Sequence, residues 1–306
     1  MVEATGVIVK VRGHIIRLLI QAVSIVTIWV RNKPLGAFGA FICIGMVFLA
    51  LGADLVSPYG INETSESDQL ASPSIKHWFG ADQFGRDILS RVIHGARVSM
   101  IVGFGSTMLA MTLATLVGIV SAYYRGWIDM VIQRLVDAWM SFPGIVVALT
   151  MVALIGPGIF NLILVIGILF GFRESRIIRS QVLSITDRGY IEAANALGAG
   201  PIRTMVFHIL PNTFVPVIIL ATLQLPTVIL IEASLSFLGF GIPPPAPSWG
   251  GMLTGEARLY MLDAPWLVLA PGAFLSLTVF GWNMFGDALR DLLDPAMSGS
   301  IRRRDS

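Results

Sequence analysis

Six long apolar stretches, separated by short polar segments, dominate the chain. A helix needs about 20 mostly apolar residues to cross about 30 Å of hydrocarbon, and these stretches are of that length. They predict six transmembrane helices, at 36–56, 98–122, 133–155, 159–177, 213–238 and 265–287. The fourth has the least distinct boundary, because Arg173, Glu174 and Arg176 crowd its end.

A further apolar stretch, residues 15–30, has a different pattern. Its polar residues Arg17, Gln21, Ser24 and Arg31 recur at spacings of 4, 3 and 7, which forms one stripe along a helix. An apolar helix with a narrow polar stripe and basic flanks is typical of the membrane interface. The pattern predicts an interfacial helix, with a seventh span as the alternative.

Composition agrees with a membrane protein. Of the 306 residues, 55% are hydrophobic and 13% are charged, whereas soluble domains carry about 25% charged residues. The net charge of +2 is too small to indicate a nucleic-acid partner. The single cysteine, Cys43, lies inside an apolar run, so it is predicted to be a buried packing residue without a disulfide partner.

Lysine and arginine residues predict the orientation in the membrane. With the N-terminus in the cytoplasm, 16 of the 21 basic residues fall on the cytoplasmic side and 5 outside. Because cytoplasmic loops are enriched in basic residues, both termini and the segment 187–212 are predicted to be cytoplasmic. The predicted regions are a cytoplasmic N-terminus (1–35), a first span with an extracytoplasmic segment (36–97), a core of five spans (98–290) and a cytoplasmic tail (291–306).

Two extracytoplasmic segments are long enough to have structure of their own, 57–97 and 239–264. In the first, an apolar helical face is predicted opposite Arg91 and His94. The residues of that face are Ile88, Leu89, Val92 and Ile93. The second contains a proline run at 243–247, which is stiff and cannot continue a helix.

Several kinds of chemistry are unsupported by the sequence. Lysine occurs only at 10, 33 and 76 and never follows glycine, so the phosphate-binding loop of ATPases is absent. The four histidines are far apart and no H-E-x-x-H pattern occurs, which gives zinc no site. Gly103-Phe-Gly-Ser106 is interpreted as a close helix contact between small residues rather than as the serine site of an intramembrane protease.

Two acidic residues lie within predicted spans, where charge is costly and usually has a reason. Asp137 follows Arg134 by three residues, a spacing that predicts a local ion pair. Glu232 lies deeper. One interpretation has Glu232 and Ser234 facing a polar pathway for a solute; the other has the carboxylate satisfied by hydroxyls such as that of Ser234 or by another helix.

The cytoplasmic segment 187–212 interrupts two apolar runs with a predicted helix–turn–helix. Tyr190 to Leu197 favours a helix with Asp187 as its N-cap, Gly198-Ala-Gly200 allows a sharp turn, and Pro201 suits the first position of a second helix. That second helix is predicted to end or kink at Pro211. Its apolar face is Ile202, Met205, Val206 and Ile209. The alternatives are a slim docking helix, made narrow by Ala193, Ala194 and Ala196, and an ordinary connecting hairpin.

At these residues the chain resembles a family. Glu192-Ala-Ala194, Gly198 and Ile209-Leu-Pro211 resemble the EAA loop in permease subunits of ATP-binding-cassette importers, and more narrowly the C-type permeases of dipeptide, oligopeptide, glutathione and nickel importers. The supporting motifs are Phe79 to Arg91, Gly95 to Ser99, Asp137 with Phe142-Pro-Gly144, Glu232 to Gly239, Pro244 to Trp249 and Gly286 to Pro295. Gly200 departs from the family, which often has serine at that position.

The resemblance implies an all-α polytopic protein with the type I importer fold, in a bacterial inner membrane. It implies a heterodimer with a homologous B-type permease, two cytoplasmic ATPases that bind ATP and Mg, and an extracytoplasmic solute-binding protein. This chain would then have no cofactor, no metal, no nucleic-acid partner and no enzymatic activity. The implied ATPase-docking residues are Tyr190, Ile191, Glu192, Ala193, Ala194, Ala196, Leu197 and Gly198.

The implied cargo is a small solute, with di- or oligopeptides as the default within the family. A secondary transporter that uses Glu232 as an ion relay is the alternative, and it would be expected to contain inverted repeats with broken helices. No such repeat is evident in the sequence.

Overall fold

A computed structural model describes residues 33–187 and 189–293, without the side chains of residues 195 and 256. The predicted interfacial helix at 15–30 and the two termini lie outside these residues. The helices are α1 (Pro34–Leu51), α2 (Ala53–Val56), α3 (Ile88–Tyr124), α4 (Gly126–Met140), α5 (Gly144–Ile155), α6 (Ile159–Thr186), α7 (Gly189–Ala196), α8 (Pro201–Thr204), α9 (Leu210–Phe237), α10 (Trp249–Met252), α11 (Glu256–Leu259) and α12 (Trp266–Leu293). Two further turns are a 3-10 turn at Glu66–Asp68 and a π-helical turn at Met205–Ile209. The described residues contain no β-strand, only an isolated bridge between Ala81 and Asp87.

The fold is an all-α polytopic membrane fold, as the sequence predicted. Four helical runs are long and apolar enough to cross a membrane: Pro34–Leu51, Ile88–Tyr124, Pro201–Phe237 and Trp266–Leu293. A fifth crossing is formed by α4 and α5 if this bent pair counts as one span. The remaining predicted span corresponds to α6, whose apolar run is interrupted by Arg173, Glu174 and Arg176.

The predicted single span at 133–155 is two helices, and this is a correction. The axes of α4 and α5 differ by 86°. The break lies at Ser141–Pro143, where Pro143 has the extended ψ of 120° and precedes the first turn of α5. Proline disfavours the helical region for the residue before it, here Phe142, and it has no N–H to continue the hydrogen-bond ladder. Apolarity alone does not reveal such a bend.

The core forms where small residues let the helices approach closely. A Cβ atom at Gly105 would lie 2.8 Å from the Ile163 side chain, and one at Gly167 would lie 2.7 Å from Leu109. Both contacts join α3 to α6. At Gly103, a Cβ would lie 3.0 Å from Ile229 of α9. The interpretation of the Gly103–Ser106 segment as a helix contact is therefore confirmed, and Cys43 is buried as predicted.

The helical segment predicted around Arg91 and His94 is part of a longer helix. Helix α3 begins at Ile88, so the predicted amphipathic segment is the first part of the span itself. Arg91 and His94, which the prediction placed opposite the apolar face, are each only 8% exposed. Neighbouring segments of the chain cover them: Arg91 donates to the Ile61 and Pro245 carbonyls, and His94 lies 3.3 Å from Asp54.

The end of the helices predicted to be extracytoplasmic is closed by the two segments around 57–87 and 238–265. Trp249 is fully buried, and its Nε1 donates to the Val92 carbonyl of α3 at 3.0 Å. Gly250 packs on α9 so closely that a Cβ would lie 2.3 Å from the Ala233 carbonyl oxygen. The proline run before them forms no helix, as predicted. These contacts fix the segment 238–265 to the first turns of α3 and to the last turns of α9.

Candidate functional site

The helix–turn–helix in the segment 187–212 is present, and its turn has a defined geometry. Helix α7 is followed by Gly198 in the left-handed region, with φ of +84°. The Ala199 N–H donates to the Ala194 carbonyl at 3.0 Å, which is the six-residue hydrogen bond of a Schellman motif. Gly200 then has φ of −70° and ψ of 161°, and Pro201 occupies the first turn of α8. The predicted turn chemistry is therefore confirmed.

One face of α7 is anchored and the opposite face is exposed. Ile191 is only 3% exposed and packs in a cluster with residues of α3, α6 and the π-helical turn, among them Ile119, Ile178 and Ile209. Tyr190 and Leu197 are 40% and 89% exposed. Glu192, Ala193, Ala196 and Gly198 are also exposed, and Ala194 is half-buried. Of the eight predicted docking residues, Ile191 thus faces the protein and the others are accessible to different degrees.

Asp187 is not the N-cap of α7, which corrects the prediction. It is the C-cap residue of α6, and its carboxylate accepts a hydrogen bond from Arg125 at the end of α3. The reason is that α6 continues to Thr186, much further than its apolar run. Asp187 therefore joins α6 to α3.

The second helix also differs from its prediction. Ile209 is fully buried, but Ile202 is 74% and Val206 44% exposed, so the four predicted apolar positions do not form one buried face. The π-helical turn at Met205–Ile209 changes the register between them, with the Leu210 N–H donating to the Met205 carbonyl. Pro211 follows in the first turn of α9 and does not end the helix. The π-helical turn before it is wider than an α-helical turn and accommodates the missing proline N–H.

Ion pairs tie α4 to α6 near this segment. The Arg179 guanidinium donates from Nε to Asp129 at 2.6 Å. The predicted pair of Arg134 with Asp137 is present at 3.8 Å, and Arg176 of α6 makes a shorter contact with the same carboxylate. Helices α4 and α6 are thereby held together near the start of α7.

Glu232 is fully buried, and two serines satisfy its carboxylate. Oε1 accepts from Ser236 Oγ at 2.8 Å, and Oε2 accepts from Ser99 Oγ of α3 at 3.1 Å. Ser234 is not a partner: it is exposed and its Oγ donates to the Leu230 carbonyl at 2.7 Å. Residues two positions apart lie on different sides of a helix, so the side chains of Glu232 and Ser234, the two candidate pathway residues, do not come together. The i,i+4 spacing to Ser236 could have identified that partner; Ser99 lies on a separate helix and could not be found this way.

Beside Glu232 lies a cavity of about 590 Å³, and Ser236, which hydrogen-bonds the Glu232 carboxylate, belongs to its lining. It is enclosed by the segment 82–91, by Pro157 between α5 and α6, and by residues between 236 and 267. Three charged residues are among its described lining: Asp82, Arg86 and Arg91. No feature of the sequence alone placed these residues beside the proline run.

A second cavity, of about 670 Å³, lies between α3, α9 and α12 and is almost entirely apolar. Its lining includes Phe104, Met108, Phe214, Ile218 and Trp282. Glu232 does not line it. Among the described residues, no group of histidine, cysteine, aspartate and glutamate side chains could hold a metal ion.

Comparison with known proteins agrees with this architecture. Residues 114–299 match the family described as "binding-protein-dependent transport system inner membrane component". The chain is 42% identical to the dipeptide transport system permease protein DppC of Alkalihalophilus pseudofirmus over 267 residues, 87% of this chain and 88% of the relative. It is 38% identical over 270 residues to the glutathione transport system permease protein GsiD of Escherichia coli and of Shigella boydii, which covers 88% of this chain and 89% of each relative.

Proposed function

Since this chain belongs to the family of inner membrane components of binding-protein-dependent transport systems, we propose that it forms half of the membrane pathway of a peptide importer. It is a multi-pass permease subunit of an ATP-binding-cassette importer, and such permeases work with ATPase and binding-protein partners. The proposed cargo is di- or oligopeptides. Support for this cargo comes from the two relatives named for dipeptide and glutathione transport.

The observation that carries the proposal is the geometry of α7. It is a short helix with an exposed face, and Ile191 packs it against α3, α6 and the π-helical turn that leads into α9. A partner that binds the exposed residues would therefore move the spans rather than a loose loop. The proposed docking surface is Tyr190, Glu192, Ala193, Ala194, Ala196, Leu197 and Gly198, with Ile191 as its anchor.

The energy for transport is proposed to come from two cytoplasmic ATPase subunits, which would bind ATP and Mg and hydrolyse ATP. Glu192 is exposed and negative, which suits a basic residue on the ATPase surface. The alanines beside it leave room for a close approach of the helix to a groove. The cytoplasmic placement of both termini, proposed from the distribution of basic residues, puts α7 on the side where ATP is available.

A homologous B-type permease is the proposed second half of the pathway. Large exposed apolar residues remain on α3, α9 and α12, among them Met108, Phe214 and Phe280. Part of this surface would meet lipid and part would meet the partner permease.

Reconstitution of the complete importer in proteoliposomes tests the function. We expect uptake of a labelled dipeptide that requires the binding protein, both ATPases and hydrolysable ATP. Uptake that continues without the ATPases and follows an imposed proton or sodium gradient would instead support the secondary-transporter alternative.

A further inference from the structure

We propose that the apolar cavity between α3, α9 and α12 is a phospholipid site, in which one acyl chain of a membrane lipid lies along the three helices. The inference holds for a multi-pass permease whatever solute it transports. It concerns the half of these helices that is nearer to α7, the side proposed above to be cytoplasmic.

The cavity occupies one half of each helix. Its lining residues lie within 104–116 of α3, 210–225 of α9 and 282–289 of α12. In α9 this is the half that follows the π-helical turn, and in α12 it is the second half. The stretch of α3 is about 18 Å long, and one leaflet of hydrocarbon, half of about 30 Å, is about 15 Å thick. The cavity therefore has the length of one leaflet, on the side of α7.

The lining of the cavity is open to the surroundings of the protein. Met108, Leu116 and Phe214 line it and are 76%, 58% and 58% exposed. In a multi-pass membrane protein, an apolar surface between spanning helices contacts lipid unless another protein covers it. A lipid chain can therefore enter the cavity from the side.

Three threonine hydroxyls in the lining are already hydrogen-bonded. Thr112, Thr213 and Thr222 each donate to a carbonyl about one turn earlier in their own helix, at 2.6–2.8 Å. Two other polar atoms of lining residues, Thr107 Oγ1 and Trp282 Nε1, have almost no accessible surface and so offer nothing to a ligand. A peptide in the cavity would leave amide groups without partners, which costs free energy in apolar surroundings. The lining therefore favours a hydrocarbon chain over the cargo.

The width of the cavity decides between a lipid chain and a helix of the partner permease. The volume is about 670 Å³. Spread over a length of about 18 Å, this volume corresponds to a channel about 7 Å across. An α-helix with its side chains is about 10–12 Å across, so a partner helix could insert single side chains but could not lie in the cavity. An acyl chain is a single row of methylene groups and fits.

A bound chain should also stabilise the protein. The side chains around an empty apolar cavity lack van der Waals contacts on one side, and an acyl chain would restore them along α3, α9 and α12. A ligand that binds only the folded state raises its stability. Binding of the lipid is therefore expected to raise the melting temperature in a saturable way.

The first experiment uses phosphatidylglycerol with a photoreactive diazirine in one acyl chain, in nanodiscs that contain the complete importer. A diazirine near the end of the chain should label the lining around Phe104 and Leu225, and one near the glycerol should label it around Leu116 and Leu289. Phe41 of α1, which is 74% exposed and lies outside the cavity, reports contact with bulk lipid. Labelling of the lining that is no stronger than labelling of Phe41 would overturn the proposal.

The variant Ala221→Phe places an aromatic ring in the cavity and should displace the chain. We expect loss of the label from the lining, with the label at Phe41 retained. Ala153→Phe is the matched control and should keep both labels, because Ala153 is exposed on α5 and lies outside the cavity. Unchanged labelling of the lining in Ala221→Phe would contradict the proposed site.

The second experiment needs no variant. The delipidated importer in amphipol is titrated with phosphatidylglycerol, with its one-chain lysophospholipid or with glycerol phosphate, and the melting temperature is followed. We expect a saturable rise with both lipids, because the site holds one chain, and no rise with glycerol phosphate. A rise that requires two acyl chains, or no rise at all, would overturn the proposal.

The same measurements identify other occupants of the cavity. If the partner permease covers it, the lining stays unlabelled in the complete importer while Phe41 is labelled, and the proposal is wrong. Absence of peptide uptake by the wild type would contradict the proposed function and leave the outcome of the lipid experiments unchanged.

Discussion

Replacing Gly198 with alanine tests whether the turn after α7 sets the strength of ATPase docking. Gly198 has φ of +84°, and a Cβ added there would meet no atom within 4 Å. The substitution therefore adds no collision, and its cost comes from the left-handed backbone alone. An L-residue other than glycine pays about 1–2 kcal/mol in that conformation. If docking requires the turn, the dissociation constant of the ATPase should rise about 5–30-fold.

Gly200 provides a matched control two residues away. A Cβ at Gly200 also meets no atom within 4 Å, but its φ is −70°, which any residue adopts. Gly200→Ala should therefore change the dissociation constant less than about twofold, since surface substitutions without strain stay within about 0.5 kcal/mol. Gly198→Asn should fall between the two, because asparagine tolerates the left-handed region better than alanine.

The assay is equilibrium binding of labelled ATPase subunits to the permease pair in nanodiscs, with ATP-driven uptake as the second readout. The thermal stability of each variant is measured alongside, so that a general loss of folding is recognised. Equal weakening by Gly198→Ala and Gly200→Ala would refute the role of the turn conformation. Unchanged docking in Gly198→Ala would refute the assignment of this segment as the docking site.

Three further predictions concern other parts of the chain. Ile191→Ala should destabilise the permease by about 2–5 kcal/mol and increase protease cleavage after α7, because it removes the buried anchor of that helix. Glu232→Gln can still hydrogen-bond Ser99 and Ser236, so it should keep the thermal stability and the uptake of the wild type. Glu232→Ala leaves Ser99 unpaired and should lower the melting temperature. Loss of uptake in Glu232→Gln without loss of stability would contradict a purely structural role of Glu232. Lys76 and Ser65 hold the pKa of Asp68 at about 2, below its ordinary 3.8. The contribution of these hydrogen bonds to the stability of the folded protein is therefore complete above pH about 4 and is lost only as the pH falls towards 2. An NMR titration of Asp68 with a midpoint near 4 would contradict this lowered pKa.

Local rules predicted the segment around α7 well. The glycine after the helix, the hydrogen bond that closes the turn and Pro201 at the start of α8 all depend on neighbours within a few residues. Asp187 was assigned to the wrong helix, because the end of α6 depends on a contact with Arg125, far away in the sequence. The length of a helix past its apolar run could not be read from periodicity.

Burial of polar residues was the least predictable feature. Arg91 and His94 lie opposite the predicted apolar face in sequence, yet neighbouring segments of the chain cover both. Of the two interpretations of Glu232, the one with hydroxyl partners agrees with the hydrogen bonds from Ser236 and Ser99, but Ser99 comes from a helix more than a hundred positions earlier. Such partners are set by tertiary packing, so a single sequence indicates the need for a partner and not its identity.

The continuous helical run Pro201–Phe237 connects the two ends at which partners are proposed to act. Near its first residues, Ile209 packs in the same cluster as Ile191, the anchor of α7. Near its last residues, Ser236 borders the cavity beside the proline run and hydrogen-bonds the buried Glu232. A packed helix transmits displacement as a unit, so movement of α7 would reach the cavity unless the run bends between them. The π-helical turn, Pro216 and Pro226 are the places where the hydrogen-bond ladder is weakest, and we expect bending to concentrate there.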